Sequence, residues 1–106
     1  MPPVDKFGTS ELGRFRAMPC SQVLPLVCSF VKEDRDFTPL KNGHTQRWHL
    51  NVDGRDFELL TTGPKFFDTR SKLGGGGGID LVMHLCGLKF KPALKKLHEV
   101  CDAAGL

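Results

Sequence analysis

The residues of this 106-residue chain with the most chemistry to offer are four cysteines, four histidines and an unbroken run of five glycines at 74–78. Thiols and imidazoles hold zinc when they come as close pairs. No Cys-x2-Cys occurs among Cys20, Cys28, Cys86 and Cys101. The nearest pair, His84 and Cys86, diverges by roughly 200° if the segment is helical. No metal and no cofactor are therefore expected. A disulfide framework does not suit a chain whose start, "MPPVDKFGTSELGRF", has no export signal. Cys86 and Cys101 fit the buried faces of helices as structural thiols.

The glycines precede "IDLVMHLCGL", which has helical spacing. A helix start exposes N–H groups and partial positive charge, and glycines let a phosphate approach the backbone closely. The run is neither Gly-x-Gly-x-x-Gly after a buried strand nor a Walker loop, so nucleotide binding of those kinds is not expected. Three tasks remain open: a cradle for a sugar–phosphate backbone assisted by Arg70 and Lys72, a tight reversal, or slack. Asp80, in the first helical turn, complements the dipole and opposes an incoming anion.

Charge points the same way as the cradle. Net charge is only +3, but residues 65–96 hold seven cations against Asp68 and Asp80. A basic half on a near-neutral chain suits a polyanion, although lysines also simply solvate helix faces. Asp34 and Asp36, in "KEDRD", read as a solvated turn rather than a catalytic pair. No Ser-His-Asp, Cys-His or paired-carboxylate arrangement stands out, so no enzyme is expected. No apolar run approaches the length of a membrane span, and a cytoplasmic domain is the plain expectation.

Several elements must position these groups. Residues 1–19 read as an irregular arm with room for a short turn of helix in "SELGRFRAM", ordered where Phe7, Leu12 and Phe15 reach the core, and residues 20–106 as the domain. "SQVLPLVCSFV" reads as a helix capped by Ser21, with Val23, Leu24, Val27 and Phe30 in one stripe. "RWHLNV-DG-RDFELL" predicts a type I′ hairpin with Leu50 opposite Phe57 and Trp48 opposite Leu59. That register puts Trp48, Leu50, Phe57 and Leu59 in the core, and Arg47, His49, Asn51, Asp56 and Glu58 on a polar face. Glu58 is the expected partner of His49. "KFFDT" is a third strand candidate whose two phenylalanines must point oppositely if it is extended, one into the core and the other onto the polar face or under the glycine loop. An exposed ring there would be a stacking platform for a base, while burial of both rings under neighbouring loops stays open. The last two helices bury Ile79, Val82, Met83 and Cys86, then Phe90, Leu94, Leu97 and Cys101. Gly87 ends the first of them, while His84 and His98 read as surface or boundary residues.

Gly78-Ile79-Asp80-Leu81-Val82-Met83, followed by Phe90, Ala93, Leu94 and Leu97, resembles the N-terminal zinc-binding domain of bacterial and phage DNA primases. The likeness covers about residues 21–104 and is most specific in the last forty. It departs at the metal: Asp68 and Ser71 stand near the places of one ligand pair, and Thr38–His44, near the other, contains no cysteine. The resemblance thus implies a zinc-less relative of the kind found in plasmid and mobile-element proteins, its clasp replaced by ordinary burial around Trp48, Phe57 and Leu59. It implies an α+β fold, with a small antiparallel, zinc-ribbon-like sheet, an N-terminal helix and two C-terminal helices packed on it. It also implies a non-catalytic module that binds single-stranded DNA beside a separate polymerase, helicase or relaxase domain. A protein-interaction domain that has lost DNA contact is the alternative. The residues expected at the nucleic acid are Arg47, His49, Lys65, Phe66, Arg70, Lys72, Gly75, Gly76, Lys89 and Lys91.

Overall fold

The computed structural model describes residues 9–39 and 43–106. Phe7, and positions 40–42 of the Thr38–His44 stretch, lie outside them. In chain order the elements are α1 (Thr9–Ala17), α2 (Cys20–Val27), β1 (Phe30–Glu33), β2 (Gln46–Val52), β3 (Arg55–Thr62), β4 (Lys65–Asp68), β5 (Leu73–Gly76), α3 (Gly78–Cys86) and α4 (Phe90–Ala103). The fold is α+β, and its five strands form one antiparallel sheet in the order β1-β2-β3-β4-β5.

The Asp53-Gly54 turn has positive φ at both residues, 51° and 86°, as a type I′ loop requires. The β2–β3 register follows from it, with Leu50 opposite Phe57 and Trp48 opposite Leu59. Leu50 and Leu59 are buried, and Trp48 and Phe57 pack against the core. Trp48 Nε1–H donates to Thr61 Oγ1 at 2.9 Å, so its one polar atom is satisfied on the inner face.

Two expectations are corrected in the first third of the chain. From Thr9 the arm is not irregular: the short turn of helix allowed in "SELGRFRAM" is a nine-residue helix, and Phe15 on it is fully buried as its ordering requires. The segment after Val27 is strand, not helix, so Phe30 leaves the predicted stripe and stands 56 % exposed. Pairing with β2 decides this: Ser29 N–H donates to Asn51 O and Val31 aligns with Leu50, contacts that no local pattern announces. The cap of α2 is Pro19 in place of Ser21, and Cys20 N–H bonds Gly63 O. The Cys20 thiol donates to Pro64 O at 3.3 Å, and burial pushes its pKa up to about 12, as suits an inert structural thiol.

The larger correction concerns the glycines. Residues 73–76 are an edge strand laddered to β4, and only Gly77 has positive φ. The run is packed rather than slack. A Cβ at Gly74 would meet the Phe66 carbonyl oxygen at 2.9 Å, and one at Gly75 would meet the Phe66 ring at 3.0 Å. At Gly78 the obstacles are Phe15 O at 3.0 Å and Leu97 Cδ2 at 3.1 Å, because α1 and α4 close on the start of α3 there.

The buried side of α3 is wider than its predicted stripe. Ile79 and Val82 are buried as expected, Met83 and Cys86 are half-buried, and Leu81 and Leu85 are fully enclosed. Gly87 caps the helix in the left-handed conformation, its N–H on Met83 O. Arg55 reaches over from β3 to donate to Leu85 O at 2.7 Å, satisfying another carbonyl at that end. On α4, Ala93, Leu94, Leu97 and Cys101 face inward, while Phe90 is 39 % exposed instead of buried. Among the described residues no helix is long and apolar enough to cross a membrane.

Candidate nucleic-acid interface

Strand alternation decides which of the expected residues share a surface. Val31, Leu50, Leu59 and Phe66 point to the helices, so their neighbours form the open face. That face carries Phe30 and Lys32 from β1, then Arg47 and His49 from β2. On its other side stand Lys65 and Phe67 from β4, opposite Thr62 and Leu60 on β3. The outer positions of β5 are Gly76 and Gly74, aligned with Lys65 and Phe67.

Phe66 does not belong to this face. It is 6 % exposed, pairs with Thr61 and Gly75, and lies with its ring centroid 5.6 Å from that of His84. Phe67 takes the outward place and is 40 % exposed. The reason lies in the two-residue turn Gly63-Pro64. Thr62 aligns with Lys65, hence Thr61 with Phe66, and Thr61 shares the inner face with Leu59. Extending the hairpin rule to this second turn identifies Phe67 from sequence.

Arg47 and His49 sit on the open face, each beside carboxylates. Arg47 binds Asp34 through both Nε, at 2.9 Å, and Nη2, and its guanidinium lies 5.3 Å from the Phe37 ring centroid. That pairing holds the Asp34 carboxyl below its usual range, against partial desolvation. His49 stands between Glu58, the expected partner, at 3.8 Å and Asp34 at 3.6 Å. Asp34 is thus part of a surface cluster rather than a merely solvated turn residue.

The remaining cations do not form one ledge. Arg70 and Lys72 occupy the β4–β5 turn, where Arg70 donates to Asp56 O at 3.3 Å and Lys72 adopts φ 63°. Lys89 and Lys91 lie at the start of α4, on the helical side of the sheet. Helical geometry further separates Lys91 and Lys95 from Lys89 and Lys96, which fall on the other flank of α4.

Gly75 and Gly76, expected in a glycine loop, belong instead to the edge strand β5. Gly75 is laddered to Phe66, Gly76 N–H is directed to Asp80 Oδ2 at 3.4 Å, and Gly77 N–H donates to Pro64 O at 2.8 Å. The amides of Gly76 and Gly77 are thus engaged within the chain, and Gly77 and Gly78 are buried.

Two polar groups missed in the sequence support the β4–β5 hairpin. His84, a boundary residue as one of its two expected settings had it but with no partner evident in sequence, places Nε2 2.7 Å from Asp68 Oδ2. Asp68 is 3 % exposed, and its other oxygen accepts the N–H groups of Arg70 and Ser71 at 2.9 and 3.1 Å. The carboxylate therefore closes the turn and ties it to α3. Asp68 and Ser71 are linked as turn partners, and His98 likewise joins α4 to Glu11 of α1.

No family model, curated protein or solved structure matches the chain. Among the described residues the chain is an α+β domain with helices on one sheet face, an open second face, and the Lys65–Phe67 pair beside a glycine strand.

Proposed function

We propose that this domain is a non-catalytic module that binds single-stranded nucleic acid, DNA in the first instance, on the β4–β5 half of the open sheet face. Its setting is primase-like or plasmid DNA processing in the cytoplasm, with catalysis in a neighbouring polymerase, helicase or relaxase domain. The observation that carries the reading is Phe67, 40 % exposed, on the same face as Lys65 and beside a strand whose outward positions are both glycine. An exposed ring on a sheet is a stacking platform for any base, and a cation two residues away meets the adjoining phosphate. Gly74 and Gly76 add no side chain to obstruct a strand lying across them.

Fluorescence anisotropy with a labelled oligo-dT at two salt concentrations tests this. Phe67→Ala is expected to weaken binding roughly 5- to 150-fold, from about 1–3 kcal/mol of lost stacking. Lys65→Ala should lower the salt dependence by about 0.7 in log–log slope. Arg47→Ala should change affinity less than about twofold, because Asp34 already neutralises that guanidinium. No binding by the wild type at low salt, or full affinity in Phe67→Ala, would sink the proposal.

A further inference from the structure

On the helical side of the molecule, α1 and α4 leave between them an open groove of about 930 Å³. Its floor is apolar, made by Leu12 of α1 with Phe90, Pro92 and Leu94 of α4. Leu94 is nearly enclosed, whereas Phe90 keeps 39 % of its surface in water. Lys91 and Lys95, both exposed, stand along one wall a single helical turn apart. The far end changes sign, because Glu99 lies there beside His98, whose Nδ1 is paired with Glu11. The walls are held together by that Glu11–His98 pair and by the burial of Phe15 and Leu97 behind them.

The geometry points to a docking site for an acidic amphipathic helix of a partner protein, separate from the nucleic-acid face. Side chains three and four apart on a helix sit about 5–6 Å from one another, so carboxylates at that spacing match Lys91 and Lys95. Apolar residues on the adjoining stripe of the same helix fill the floor over Leu12, Phe90 and Leu94, the usual arrangement of a helix in a groove. Charge selects the orientation as well. The partner's acidic end lies at the start of α4, where the helix dipole also favours it, and its neutral or basic end lies at Glu99. Nucleic acid suits the groove poorly: its floor of Leu12, Phe90, Pro92 and Leu94 offers phosphates no donors, and Glu99 repels them at the far end.

Two labelled 18-residue amphipathic peptides provide the test. They share one Leu/Phe stripe and differ only in carrying Glu or Lys along its flank. Anisotropy titration of the full chain is expected to show at least about tenfold tighter binding of the Glu peptide. Lys91→Glu/Lys95→Glu should reverse the preference, with an unchanged thermal melt because both side chains are exposed. Phe90→Ser, at a partly exposed site, should weaken both peptides. Saturating oligo-dT should leave the Glu peptide bound. The inference is overturned by failure of the Glu peptide to bind, by a preference that survives the charge reversal, or by displacement of the peptide by oligo-dT. Loss of oligo-dT binding in Phe67→Ala with peptide binding intact separates the fate of this site from that of the sheet face.

Discussion

Replacing Asp68 with alanine is expected to lower the unfolding free energy by about 3 kcal/mol, the scale for removing one member of a buried pair. For a chain of this length that corresponds to a drop in Tm on the order of 15 °C. The loss has two parts. The N–H groups of Arg70 and Ser71 forfeit their common acceptor, and His84 forfeits the carboxylate at 2.7 Å while remaining largely enclosed between Phe57 and Phe66. Asp68→Asn keeps an oxygen for the turn but not the charge, so it should cost roughly 1–2 kcal/mol. A double-mutant cycle with His84→Ala separates the parts, and the double variant should be less destabilised than the two single losses added together.

The same site gives a pH dependence of defined sign. Burial pushes the Asp68 carboxyl upward, but the hydrogen bonds from His84, Ser71 and Arg70 outweigh it, leaving its pKa below the usual value. A carboxyl depressed in the folded state adds stability that is complete above its unfolded pKa of about 3.9 and disappears as pH falls through the folded value. Urea melts of the wild type should therefore lose stability below about pH 4, and Asp68→Asn should show a shallower loss over that interval. An Asp68→Ala protein within 0.5 kcal/mol of wild type at pH 7 would remove the clasp from this account.

The parts of the fold legible in the sequence are those governed by short-range rules. Asp53-Gly54 admits one favoured turn, and from it the β2–β3 register and the inward position of Trp48 follow. Gly87 ends α3 for an equally local reason. Phe66 turns inward and Phe67 outward because the register runs on through Gly63-Pro64, a step as local as the Asp53-Gly54 turn. The strand at 73–76 was harder to see, since glycines have no side chains with which to display an alternating pattern, and β4 supplies the order they lack.

Charge was the least legible property. Arg47 meets Asp34 across 13 residues and His84 meets Asp68 across 16, pairings made only when the sheet assembles. A count of cations along 65–96 therefore overstated the continuous basic surface. The same assembly leaves Phe67, not Phe66, on the outer face of β4, and it places Lys91 and Lys95 over an apolar groove.

An alanine scan of the five glycines is expected to give a sharply uneven profile, with Gly77→Ala the most damaging. Gly77 has φ 95° and ψ 157°, a region essentially reserved for glycine. Its new Cβ would sit 3.0 Å from Arg16 Cα and 3.2 Å from Arg16 O, backbone atoms that cannot rotate aside. Strain and overpacking together should cost roughly 2–5 kcal/mol. Gly74→Ala, facing the Phe66 carbonyl oxygen at 2.9 Å, should be destabilising by about 1–3 kcal/mol. Gly76 is the internal control. Its Cβ would meet only Lys65 Cγ, at 4.0 Å, and its φ is not positive. Gly76→Ala should be neutral or stabilising by up to about 1 kcal/mol, because the unfolded chain loses freedom. If the run were slack, that unfolded-state effect would govern all five positions and the profile would be flat. Chemical denaturation of the five variants distinguishes the outcomes, and a Gly77→Ala protein as stable as Gly76→Ala would show that the glycines serve flexibility instead of the close approach of α1 to the start of α3.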